Sequence, residues 1–203
     1  MHDENELVRL AAEDDVSAFE QLVTLYEKRV YTMALRMTGN PDDAFDISQE
    51  AFIRVHRSIK GFKGESKFST WIYRIVSNLC VDFNRKQKRI KQVPLEGTDE
   101  DEPFRITITD SRFEPERNLE RSEVLSAINR ALTTLSDEHR EIFILRELNG
   151  LSYVEIAETK MIEVGTVKSR LFRAREKLRD ALLASGNFPE LQSSNMAKGG
   201  DEA

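Results

Sequence analysis

Lys168, Ser169, Phe172 and Arg173 lie close together in VKSRLFRAREK, and their types suit contact with the edges of base pairs. A serine hydroxyl donates and accepts, a guanidinium forms a two-pronged hydrogen bond, and a phenyl ring packs on a thymine methyl. No comparable set suits the making or breaking of bonds. Cys80 is the single cysteine, which excludes an internal disulfide, and His2, His56 and His139 are scattered without ligand spacing. Phosphate-cradling glycine motifs, G-x-S-x-G and H-E-x-x-H are all missing. Paired carboxylates are plentiful, but they fall on helices expected to be exposed or in a linker, without the apolar pocket that tunes a general acid. The chemistry expected is binding, with no enzyme activity, no metal and no cofactor.

The element that must position these four residues is a helix. Val164, Val167, Leu171, Ala174, Leu178 and Leu182 recur in steps of three and four and form one apolar stripe. The side away from it carries Gly165, Ser169, Phe172, Arg173 and Glu176, flanked by Lys168, Arg170, Arg175 and Arg179. A shorter helix precedes it, opened by Ser152 and Glu155 in capping-box spacing and broken around Lys160 to Glu163. Two short helices with a tight connection, the second basic and outward-facing, read as a helix-turn-helix whose second helix enters the major groove. The plainer alternative is a helical hairpin with a solvated charged face, since such charges on a helix are ordinary.

A formal net charge of −6 argues against nucleic acid until the charges are placed along the chain. Residues 1–50 carry twelve acids and four bases, residues 54–91 eleven bases and two acids, and residues 168–179 six bases and one acid. Two basic blocks separated by acidic ones predict two DNA-facing surfaces, because local basic density is what displaces counterions from phosphate. No apolar run is long enough to span a bilayer, and the acidic start has no signal-peptide pattern. The expectation is a cytoplasmic protein with no stable membrane insertion.

In chain order, Phe19, Leu22, Val23, Tyr26, Val30, Met33, Ala34 and Met37 predict a core helix over 17–37, closed by Gly39. Pro41 starts a second, with Ala44, Ile47, Ala51, Val55 and Ile59 inward. Its other face shows Asp46, Gln49, Glu50, Ile53 and Arg57, an isoleucine within a polar and acidic ring. That is either the small apolar centre of a protein-binding surface or a single exposed side chain among charges. A loop with Lys60, Lys63 and Lys67 among Phe62, Phe68 and Trp71 follows. Interleaved cations and rings suit single-stranded nucleic acid, although the rings serve equally as anchors of the loop. The third helix buries Ile72, Ile75, Val76, Leu79 and Phe83 and shows Thr70, Arg74, Ser77, Asn78, Val81 and Arg85 on its other side, a polar and basic face suited to phosphate.

Pro94, Gly97, the acids 99–102, Pro103 and Pro115 mark a linker, and the second helical domain begins near residue 120. There Val124, Ile128, Ala131, Leu132 and Leu135 form a stripe, and Ser136 is expected to cap a helix that runs through Leu145 to a stop at Gly150. Residues from about 184 have little to bury and are expected to form a disordered tail. The predicted fold is all-α, with two small helical domains joined by a flexible acidic linker and a helix-turn-helix at the end of the second.

Taken together, DDAFDISQEAFIRVHR, FKGESKFSTWIYRIVSNLCVDF and LRELNGLSYVEIAETKMIEVGTVKSRLFRAREKLR resemble the extracytoplasmic-function group of bacterial sigma factors, over roughly residues 5–183. The resemblance implies a non-catalytic subunit that binds core RNA polymerase and reads two promoter elements. By it, residues 1–93 form the domain for core binding and for recognition and melting of the −10 element, 94–119 the linker, 120–183 the domain for the −35 element, and 184–203 a tail. Asp46, Gln49, Glu50 and Ile53 dock on the clamp coiled coil of the largest polymerase subunit. Lys60, Phe62, Ser66, Phe68, Ser69, Trp71, Arg74 and Asn78 hold the non-template strand of the −10 element. Lys168, Ser169, Phe172 and Arg173 read the −35 element, with Arg146 and Thr166 on nearby phosphates. Expected partners are core polymerase, promoter DNA and an anti-sigma protein. Two departures fall in the turn, where the family commonly has Gly and Pro and this chain has Met161 and Glu163. A stand-alone helix-turn-helix regulator is the alternative; it would bind duplex DNA unaided and would not need the loop from Lys60 to Trp71.

Overall fold

In the computed structural model, residues 3–91 and 119–185 are described; they form eight α-helices, with no strand among them. Of the predicted linker and tail, residues 94–118 and 186–203 lie outside the described residues, while Leu119 already belongs to a helix and Ala184 still does. The first helix, α1 (Glu4–Ala12), is not anticipated above: its buried set is only Leu7, Val8 and Ala11, too short a run to register as a period. It is held from outside, because the Tyr26 hydroxyl donates to Glu4 Oε2 at 2.7 Å.

Helix α2 (Val16–Thr38) starts where Asp15 Oδ1 accepts from the Ala18 amide at 2.9 Å, a cap that contributes about 1 kcal/mol. It stops at Gly39, whose φ of 75° closes the last turn and which a side chain would strain. Tyr26 lies at the centre of the core and meets the rings of Phe68 and Tyr73 edge-on at 5.4 and 6.3 Å. Burial, and then the Glu4 acceptor, push its phenol well above the usual range. Helix α3 (Pro41–Ser58) has Pro41 in its first turn and Asn40 Oδ1 accepting from the Asp42 and Asp43 amides. A short 3-10 turn (Ile59–Gly61) and a loop lead to α4 (Phe68–Lys91).

The second domain comprises α5 (Leu119–Thr133), α6 (Asp137–Phe143), a π-helical segment (Ile144–Leu148), α7 (Tyr153–Lys160) and α8 (Val164–Ala184). Ser136 occupies the cap of α6 as expected, but its side chain makes no capping bond. The expected uninterrupted run to Gly150 instead widens by one residue: the Asn149 amide bonds to Ile144 O at 3.1 Å. Ala131, Leu132 and Leu135 pack on Ala174 and Leu178, which fastens α5 to α8.

The two domains are in contact. One apolar cluster runs from the α1–α4 bundle into Ile142, Ile144, Leu145, Leu151, Ile156, Val167 and Leu171, as α2 meets α6 and the π segment while α4 meets α7. Thr70 and Ser77, expected on an open polar face, are therefore buried under the second domain. A helix's own periodicity assigns polar residues outward without regard to a neighbour.

Candidate nucleic-acid interface

Helices α7 and α8 meet as a helix-turn-helix. The capping box forms as expected: Glu155 N donates to Ser152 Oγ at 3.2 Å and Ser152 N to Glu155 Oε2 at 2.7 Å. Burial opposes ionisation of Glu155, yet the bonds from Ser152 and Thr70 and the nearby Lys67 charge together hold its carboxyl below the usual range. The turn passes through Met161 at φ 51°, in the left-handed region. Its side chain is 91% exposed, so nothing offsets the strain of a Cβ there. Met161→Gly is therefore expected to stabilise the domain by about 0.5–1 kcal/mol, readable as a higher melting temperature. Glu163 caps α8 by its main chain alone: its carbonyl accepts from Thr166 and Val167 at 2.9 and 3.1 Å, and its carboxylate makes no capping bond.

Val167, Leu171, Ala174 and Leu178 are buried, which turns Lys168, Ser169, Phe172 and Arg173 outward. Phe172 is 62% exposed. Ser169 Oγ donates to Thr166 O at 3.0 Å, so the hydroxyl oxygen is left to accept. Several cations of α8 are balanced by acids of their own domain: Arg170 pairs with Glu138 at 2.9 Å and Arg175 with Glu147 at 2.5 Å. Among the described residues, Lys168 and Arg173 form no such pair. The positive surface is also felt at His139, whose imidazole is held below its usual range by burial first and then by Lys177, Arg170 and Arg173.

Arg146 is more constrained than its expected phosphate role requires. One arm donates to Leu151 O at 2.7 Å, and the guanidinium carbon lies 4.7 Å from the centre of the Tyr153 ring. Lys168 Nζ stands 6.0 Å from the same ring, so Tyr153 draws two cations to the start of the helix-turn-helix. Tyr153 is a feature missed in the sequence. Thr166, the other expected phosphate ligand, is half-buried in the first turn of α8.

The basic surface of the first domain is built on α4 and the loop before it. Phe62, Phe68 and Trp71 form one aromatic cluster, with ring centres 5.1–5.8 Å apart. Phe68, expected to hold a base, is 3% exposed and supports the loop from beneath; Phe62 and Trp71 are half-buried above it. Lys60 Nζ pairs with Asp14 Oδ2 at 2.7 Å, which ties the loop to the turn between α1 and α2. Ser66 and Ser69 are half-buried at the loop, while Arg74 and Asn78 stand exposed on α4. The rings position the loop, and Arg74 and Asn78 are left exposed beside it.

On α3, Asp46 and Gln49 are exposed, Ile53 is largely open, and Glu50 is half-buried and paired with Arg54 at 2.8 Å. Phe45, also exposed, falls one step round the helix from Gln49 and widens the apolar centre beyond Ile53 alone. Partial burial, then repulsion from Asp46 and Asp42, raises the Asp43 carboxyl above its usual range. A basic partner would relieve that crowding.

Comparison with known proteins places both domains in one family. Residues 22–90 match the model of sigma-70 region 2, and residues 125–178 that of sigma-70, region 4. The ECF RNA polymerase sigma factor SigW of Bacillus subtilis is 37% identical over 177 residues, covering 86% of this chain and 94% of that protein. The ECF RNA polymerase sigma-E factor of Escherichia coli (strain K12) is 38% identical over 175 residues, 85% of this chain and 90% of that one. Among solved structures, CnrH in complex with the cytosolic domain of CnrY matches with a TM-score of 0.65 and 26% identity, over 90% of this chain and 99% of that one. The sigma factor RpoE in complex with the anti-sigma factor NepR from Bartonella quintana matches with a TM-score of 0.64 and 25% identity, over 82% and 98%. With both family regions present in order, and relatives this similar spanning most of both chains, the protein belongs to the extracytoplasmic-function group of the sigma-70 family of RNA polymerase sigma factors.

Proposed function

We propose that this sigma factor binds core RNA polymerase through α3, reads a −35 element with α8 and holds the opened −10 strand with α4 and its preceding loop, with no catalytic step of its own. The observation that carries this reading is the outward set Ser169, Phe172 and Arg173 on α8, which combines base-edge chemistry with neighbours Arg170 and Arg175 that are already paired with acids. Arg146 and Thr166 hold flanking phosphates, which fixes the register of Lys168. Arg74 and Asn78 contact the displaced strand beside the edges of Phe62 and Trp71, while Lys60, Ser66 and Ser69 line the loop. Flipping a base out of the stack costs a few kcal/mol, which a pocket and stacking can offset.

The domain for core and −10 contacts spans residues 1–93, the linker 94–119 and the −35 domain 120–183. The site of action is the cytoplasm, where polymerase and promoter meet; among the described residues no helix is long and apolar enough to cross a membrane. An anti-sigma protein is the regulatory partner, as for the matched RpoE in complex with NepR.

The α3 assignment is tested by Ile53→Asp. Ile53 is exposed, so the fold is expected to be unaffected, whereas a carboxylate at the centre of an apolar contact costs about 2 kcal/mol, roughly thirtyfold in affinity for core polymerase. Unchanged core affinity would move the docking surface off α3.

A further inference from the structure

Helix α2 sorts its charges onto two sides. At about 100° per residue, Lys28, Arg29, Thr32 and Arg36 fall within an arc of roughly 100°, while Glu20 and Glu27 lie on the far side. The basic arc is one wall of a hollow of about 230 Å³, which Met33 also lines and which Leu148 and Asn149 of the second domain close from the other side. Lys28 and Arg29 are exposed, whereas Thr32, Arg36 and Asn149 are half-buried.

No acid lines this hollow, and among the described residues Lys28 and Arg29 form no ion pair. Cations on other helices are placed differently: Arg9, Arg54 and Arg175 each meet a carboxylate, at 2.7, 2.8 and 2.5 Å. Three like charges around one concavity repel one another, and its low-dielectric walls concentrate their field. An anion entering it relieves that repulsion, and guanidinium groups offer forks that fit phosphate oxygens.

The opposite wall has a different chemistry. Ile144–Leu148 is π-helical, with the Asn149 amide reaching back five residues to Ile144 O at 3.1 Å. Such wide turns are rare and frequently mark functional positions. Leu148, at the end of this one, leaves 43% of its surface open, and Asn149 beside it carries an amide that both donates and accepts. Cations on one side, with an apolar side chain and a neutral amide on the other, are the lining expected for a phosphorylated ligand that bears a flat ring.

We propose that this hollow binds a nucleoside diphosphate, with its phosphates on Lys28, Arg29 and Arg36 and its base against Leu148. Thr32 and Asn149 supply the neutral hydrogen bonds. The hollow is smaller than the roughly 300–1,000 Å³ that encloses a drug-sized ligand, so part of the nucleotide stays in solvent and affinity is modest. The site uses none of the residues assigned above to polymerase or promoter contacts, so it stands or falls separately from those assignments.

The test is calorimetric titration of the full chain with ADP and GDP, with inorganic pyrophosphate and adenosine as the separate halves of the ligand. At least one nucleotide is expected to saturate a single site with a dissociation constant on the order of 100 μM, pyrophosphate to bind about fivefold more weakly, and adenosine not to bind. Lys28→Ala with Arg29→Ala, both at exposed positions, is expected to weaken the nucleotide about tenfold or more. Lys86→Ala with Arg130→Ala removes the same charge from exposed positions outside the hollow and is expected to leave affinity within twofold. Leu148→Ser should weaken the nucleotide about threefold and leave pyrophosphate unchanged. Equal losses from the two double variants would reduce the effect to overall charge and overturn the site. Pyrophosphate binding as tightly as either nucleotide would overturn the role of Leu148 and with it the ligand class. No saturable binding of either nucleotide below about 1 mM would overturn the proposal outright. So would displacement of the nucleotide by a single-stranded oligonucleotide whose own affinity falls with Lys28→Ala and Arg29→Ala, because the hollow would then be a nucleic-acid contact.

Discussion

Arg140→Ala is expected to cost the second domain about 3 kcal/mol, a fall of some 10–20 °C in melting temperature for a unit this small. Arg140 is 5% exposed, and its guanidinium closes the end of α5: Nε donates to Leu132 O at 2.9 Å, and Nη2 to Thr133 O at 3.3 Å and Leu135 O at 3.1 Å. The last carbonyls of a helix have no partner within it; here the bonds to Leu132 O and to Leu135 O, just past the end of α5, are buried, and that to Thr133 O is partly so. Removing the guanidinium leaves several buried acceptors unmet at once. Arg140→Lys should recover only part of the loss, because a single ammonium cannot span three carbonyls. Circular dichroism melting of the three proteins decides the matter; a loss below about 1 kcal/mol in the alanine variant would show that water satisfies the carbonyls instead.

The second large effect is at the duplex interface. Arg173→Ala is expected to lower affinity for the preferred −35 sequence by about ten- to a hundredfold, the value of one good forked contact to a base, while affinity for unrelated duplex changes little. Phe172→Ala should relax preference at a single position, by loss of its contact with a thymine methyl. Arg146→Ala is the contrast, with binding weakened on every sequence and the salt dependence reduced by about one counterion. These outcomes are read by titrating labelled duplexes over a range of salt. A uniform loss from Arg173→Ala would assign that side chain to phosphate and move base reading elsewhere on α8.

What the sequence makes legible here is what a local rule controls. The stripe of α2 with Gly39, the Pro41 start of α3, the capping box at Ser152 and Glu155, and the six-residue stripe of α8 each depend on residues within a turn or two of one another, and each is present in the fold. Features decided by distant packing are not legible in that way. Helix α1 depends on Tyr26 reaching Glu4, and Arg140 looks like one more surface base until α5 lies against it. The π segment needs one extra residue between two well-formed stretches, a change that apolar spacing does not encode. The same holds within the candidate sites. The pattern of cations and rings identifies the loop before α4, but only the cluster of Phe62, Phe68 and Trp71 separates the buried ring from the two half-exposed ones. Thr70 and Ser77 are the clearest case, because a second domain, and not their own helix, decides which way is inward.

The most direct test of the account is run-off transcription from a library of promoter fragments with purified core polymerase, with and without this protein. The predicted result is a set of transcripts that appear only with the protein, whose upstream regions share two elements and whose yield falls when Arg173 or Ile53 is changed. No new transcripts, from a protein that nevertheless binds duplex DNA on its own, would contradict it and leave the loop from Lys60 to Trp71 a purely structural element.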